Sequence, residues 1–178
     1  MTGKLAFPAI RGQPDRMMKN PVHNPDDEAR ALVRRLIADI RHVVLSVQDR
    51  QSGHPHLSRI AVQADADAVP VAFLSEIAHH TRLLHTEPRA GLLIEDLSDR
   101  GDAMARPRLT LRVIAEKLPQ DSPDHEARIA SWVAQNPKAK IYAALPDFFF
   151  WRMRPMGGLL NAGFGKAYVF SESDLRQP

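Results

Sequence analysis

Apolar and polar residues alternate over residues 57–65, with Ile60, Val62 and Ala64 on one side and Arg59, Ala61 and Gln63 on the other. That is the period of a β-strand. Residues 65–68 (Asp-Ala-Asp-Ala) read as a hairpin loop and residues 69–74 as the returning strand. Residues 75–86 predict a short helix stopped before Pro88. Further strands are predicted at residues 42–47, 90–94, 108–117, 147–153 and 167–170. Ala29, Leu32, Val33, Leu36, Ile37 and Ile40 recur at helical spacing behind Asn24-Pro25-Asp26-Asp27-Glu28, so a helix capped near Asn24 runs to about Ile40. Ser122-Pro123-Asp124 opens a second helix, reaching about Gln135. Hairpins rather than βαβ crossovers join the strands. The fold is therefore expected to be mainly β (α+β), an antiparallel barrel with peripheral helices.

Composition narrows the class only a little. The chain has 178 residues, 44% hydrophobic and 25% charged, with a formal charge of +3 and no cysteine. One domain is expected over residues 23–178, preceded by an arm over residues 1–22 that has no apolar run long enough for a signal peptide. The missing cysteines exclude disulfides and thiolate metal sites, and fit a reducing cytoplasm. Nothing approaches the roughly 18 apolar residues of a membrane span. Lys and Arg form no block of the kind nucleic-acid binding uses. Arg30, Arg34, Arg35 and Arg41 read as the solvated face of the first helix.

Two places carry candidate chemistry. Arg59 stands in an otherwise apolar strand, where a guanidinium must meet an anion or reach water. Both readings, a phosphate contact or an outward-facing arginine, stay open on pattern alone. Ser75, His80 and Thr81 gather where a strand runs into a helix, whose first N–H groups and positive dipole end seat an anion. Ser75 also fits as the helix N-cap. The histidines have no metal-site spacing and no accompanying carboxylate, so no metal is expected. Nor is there a G-x-S-x-G elbow. Phe148, Phe149, Phe150 and Trp151 alternate faces, and are expected in a core or subunit interface.

An ordered set of segments adds more. These are Pro55-His-Leu-Ser-Arg59, Ser75-Glu-Ile-Ala-His-His80-Thr81, Pro88-Arg89-Ala-Gly-Leu92-Leu93, Arg106-Pro-Arg-Leu-Thr-Leu111, Asn136 to Tyr142 with Pro146-Asp147-Phe148, and Gly163-Phe164-Gly165. With them the chain resembles the pyridoxamine 5′-phosphate oxidase-related, FMN-binding split-barrel family, and within it the haem-utilisation branch. The resemblance covers roughly residues 29–175. It implies a six-stranded Greek-key split barrel that forms a homodimer, with FMN held in grooves between the subunits. Arg59 would hold the FMN phosphate or ribityl chain. Ser75, His80 and Thr81 would complete the phosphate seat, with His79 close by, and Arg108 would approach the cofactor from its strand. Two positions depart from the family. Leu83 stands where it often has Asn, and no histidine follows His125, whereas haem-degrading relatives use one in the tail. The implied function is an FMN-dependent oxidoreductase acting on a small molecule. A haem-binding or haem-degrading protein of the same fold, and a non-enzymatic flavin carrier or sensor, are the alternatives.

Overall fold

The computed structural model describes residues 22–98 and 102–176. The expected arm lies outside them except for Val22. Eight strands run β1 Val22–His23, β2 His42–Gln48, β3 Pro55–Ala64, β4 Pro70–Ser75, β5 Arg89–Glu95, β6 Arg108–Lys117, β7 Phe148–Asn161 and β8 Ala167–Ser171. Four helices accompany them: α1 Asp27–Ala38, α2 His79–Thr86, α3 His125–Gln135 and α4 Glu172–Leu175.

Strands β2 to β7 close into a six-stranded antiparallel barrel in the order β7-β4-β3-β2-β5-β6, with β6 pairing back onto β7. β2, β3 and β4 follow one another as hairpins, and β5 returns beside β2, which is a Greek key. β8 adds to β7 outside the ring and β1 runs parallel to β8. The barrel is split. β4 pairs with β3 only over Val62–Ala64, while β3 pairs with β2 along Pro55–Ala61. α2 follows β4 directly, packs on β2 and β3, and buries Thr81 and Leu84.

Inside the barrel Leu45, Leu92, Leu109, Leu111, Met153 and Leu160 are fully buried. Each such side chain contributes about 1.5–3 kcal/mol. α1 adds Ala29, Val33, Leu36 and Ile37 to this core. A second, smaller core lies outside the ring, where Val71 and Phe73 of β4 and Phe150 of β7 meet Trp132 of α3. The aromatic run is thus divided by the strand period. Phe149 and Trp151 face the barrel, and Phe148 and Phe150 face α3.

Several boundaries differ from the sequence reading. α1 is capped by the Asp26 side chain, which accepts from Ala29 N at 2.7 Å, rather than by Asn24, and the helix stops at Ala38. β7 runs eight residues past Met153, through Gly157 and Gly158, where a loop was expected. β6 and β8 flank it on either side there and supply its ladder bonds. The polar tail contains α4, closed by a reciprocal Ser171–Asp174 capping box.

Candidate functional site

The split end of the barrel gathers imidazoles and hydroxyls. On β3, His56 and Ser58 lie opposite Val47 and Leu45, so both face inward toward α2. The His56 ring meets His79 edge-on with centroids 4.7 Å apart. His80 is half-buried, and its pKa is lowered, first by burial and then by His56 and His79. Thr81 has no exposed surface, and its Oγ1 finds no partner among the described residues. Ser58 Oγ is buried and unpartnered in the same sense. α2 starts after Ala78 with no side-chain cap. An uncapped helix start beside hydroxyls and imidazoles is suited to an anion.

Ser75 is not the cap of that helix. It stays in the sheet opposite Phe148, its Oγ donates to Asp147 Oδ2 at 2.5 Å, and Glu76 N donates to Asp147 O. The β4–β7 ladder therefore holds Ser75 three residues short of Ala78. Arg59 lies opposite Val44 and points outward, exposed, with no hydrogen bond or ion pair among the described residues. Arg108 shares that outer face but lies three strands away, about 14 Å at normal strand spacing. Its Nη1 donates to Met104 O at 3.1 Å. Within the chain the fold brings His79, His80 and Thr81 together and keeps Ser75, Arg59 and Arg108 apart from them.

The outer face holds a feature that spacing did not reveal. Leu57, Ser46, Gly91, Arg112 and Gly157 stand in one row across five strands. Small residues at its middle leave a groove of 590 Å³, lined by Ser46, Arg89, Gly91, Arg112, Ile114 and Met156 among others. Arg112 lies over Gly157, where a Cβ would come within 2.4 Å of its Nη2. Among the described residues Arg112 has no hydrogen bond or ion pair. Arg89 is held by Glu87, whose carboxyl Arg89 and then Arg50 keep well below its usual range. The groove thus has an apolar floor and a cationic rim, which fits a flat ligand bearing carboxylates. Gly91 inside a strand and the glycine stretch that begins at Gly157 were its sequence signals.

No protein-family model matches the chain. It is 31% identical over 134 residues to the haem oxygenase HutZ of Vibrio cholerae, covering 74% of each protein. A haem-binding protein from Mycobacterium smegmatis superposes with a TM-score of 0.73 at 25% identity, over 87% of this chain and 62% of that one. A Clostridium acetobutylicum protein of the pyridoxinephosphate oxidase family shares the fold at a TM-score of 0.64 and 12% identity, over 85% of this chain and 99% of that one. The chain belongs to the pyridoxamine 5′-phosphate oxidase-related split-barrel family, in its haem-utilisation branch.

Proposed function

We propose that this protein binds haem on the outer groove, as a dimer, and that haem is its substrate or cargo. The outer groove is the observation that carries this reading. Its floor of Gly91 and Ile114 suits an apolar macrocycle, and the unpaired Arg112 suits a propionate. The HutZ relative supports the choice of ligand. The dimer is supported by apolar residues left uncovered on the same sheet face, Leu57 (63% exposed) and Val169 (48%). Among the described residues no helix is long and apolar enough to cross a membrane.

The ordering of haem and flavin differs from the sequence reading, because the relatives' names speak for haem. A second reading, FMN binding, keeps one specific support. Thr81 Oγ1 and Ser58 Oγ are unspent hydroxyls at an uncapped helix start, and they fit a phosphate better than they fit an empty interior. FMN would supply the electron chemistry. His79, His80 and Thr81 would hold its phosphate, without Arg59, which stands on the other face of β3.

The deciding experiment is a titration of purified protein with haemin, followed by FMN. A saturable Soret band that Arg112→Ala weakens about tenfold supports the haem reading. Saturable FMN uptake without haem uptake replaces it with the flavin reading. Adding a reductant in air to the haem-loaded protein then separates ring opening, read as loss of the Soret band, from carriage.

A further inference from the structure

The rim of the outer groove carries two guanidiniums, and they are held differently. Arg112 stands opposite Gly91 and Arg89 opposite Ile114. Both therefore project from the outer face of the β5–β6 pair as diagonal neighbours, about 7–8 Å apart at the backbone. Gly91 and Ile114 form the floor between them. Among the described residues no acidic side chain lines the groove.

Arg89 is fixed in place. Its Nε donates to Glu87 Oε1 at 2.6 Å and its Nη2 to Glu87 Oε2 at 2.6 Å, a two-point fork that sets the plane of the guanidinium. Glu87 ends α2 and is only 4% exposed, and Arg50 donates to its Oε2 at 2.8 Å. One carboxylate thus faces two guanidiniums, and the trio keeps a net positive charge. Arg50 alone would balance the buried acid, so the charge of Arg89 is surplus to the fold. Arg89 Nη1 has no partner among the described residues, and the side chain is 75% exposed. An arginine so exposed would otherwise sample many rotamers and lose them when a ligand binds. The fork meets that entropic cost on folding instead.

We infer that Arg89 is the second carboxylate contact of the groove, and that the Glu87 fork positions it. This rests on the haem reading and narrows it: the ligand is the free di-acid, with both carboxylate arms on one edge of the macrocycle. Arg112 takes one arm and Arg89 Nη1 takes the other. Haem carries its two propionates on neighbouring pyrrole rings, which suits two cations on diagonal positions of adjacent strands. Each contact is a charge-assisted hydrogen bond, with no acid in the groove to compete for it. A macrocycle whose acids are esterified keeps the apolar floor and loses both contacts.

Soret titrations with haemin and with haemin dimethyl ester provide the test. The unmodified protein is expected to bind haemin more than about tenfold more tightly than the ester. Arg89→Ala should lower haemin affinity about tenfold and leave ester affinity within about twofold, a contrast that a merely structural role would not produce. Arg89→Gln still offers Glu87 a donor and should give the same pattern, which covers an alanine variant that folds poorly. Arg89→Lys keeps the charge, but its single ammonium is taken by Glu87, so haemin affinity should stay low. Equal weakening of haemin and ester by Arg89→Ala and Arg89→Gln, or wild-type haemin affinity in Arg89→Lys, overturns the inference. So does a loss on Arg112→Ala with none on Arg89→Ala, which leaves the haem reading standing. Haemin affinity unmoved by Arg112→Ala removes the haem reading and this inference with it.

Discussion

Ser75 Oγ and Asp147 Oδ2 lie 2.5 Å apart, joining the last residue of β4 to the residue before β7. The bond closes the barrel next to the split and commits the hydroxyl to the fold. Ser75→Ala is expected to cost about 1–2 kcal/mol, since it strips a hydrogen bond from a partly buried carboxylate. FMN affinity should stay within about twofold, because α2 begins without help from Ser75. Urea denaturation and a flavin fluorescence titration read the two effects separately. A large loss of affinity at unchanged stability would return Ser75 to the ligand site.

Thr81 should behave in the opposite way. Its hydroxyl is buried and unpartnered, so the isosteric Thr81→Val is expected to leave thermal stability unchanged or raise it by up to about 1 kcal/mol. Under the flavin reading the same variant loses about tenfold in FMN affinity. A destabilised Thr81→Val would mean that the hydroxyl is satisfied in the folded protein.

His80 makes stability depend on pH. Its folded pKa lies below the ordinary 6.5, so the unfolded chain takes up the proton first as pH falls. The contribution is intact above 6.5 and declines as pH drops through that value toward the lowered folded pKa. Wild type should therefore lose more stability than His80→Gln between about pH 7.5 and pH 5.5. Equal losses, measured as urea midpoints, would remove burial and the His56 and His79 charges as the cause.

Gly91 tests the groove without disturbing the core. A Cβ there would lie 3.7 Å from Ser46 Cβ and 3.9 Å from Leu111 O, ordinary contact distances. Gly91→Leu is expected to fold with stability changed by about 1 kcal/mol or less, and to lose haem binding by obstruction. Undiminished haem uptake would move the haem seat elsewhere.

Leu57 tests the dimer. Light scattering at micromolar concentration is expected to give twice the chain mass, and Leu57→Glu should shift it toward the monomer by burying a charge against an apolar face. A wild-type monomer would sink the proposed assembly.

Periodicity was enough to place Ile60 and Val62 in the core, with Arg59 and Gln63 on the opposite face, because a strand's pleat is a local property. What it could not place were the partners. The row from Leu57 to Gly157 exists only once four registers are set, and nothing local sets them. The second core had the same obscurity. Phe148 and Phe150 read simply as part of an aromatic strand until α3 brought Trp132 over them. Ser75 failed as a cap for a related reason, since a ladder partner over seventy residues away outweighed the local preference of serine for a helix start.

The strand that closes the barrel arrives late in the chain. β7 pairs with β4 as Ser75–Phe148 and Val71–Arg152, while β2, β3 and β4 join through short turns. Loop-closure entropy of that length must be overcome before the ring yields any return, so folding should be slow for the protein's size. Until then Val71 and Phe73 stand on an open sheet edge, where another nascent copy can pair with them. Expression yield is expected to fall as the interval between synthesis of β4 and synthesis of β7 lengthens, and a holdase chaperone present during that interval should raise it.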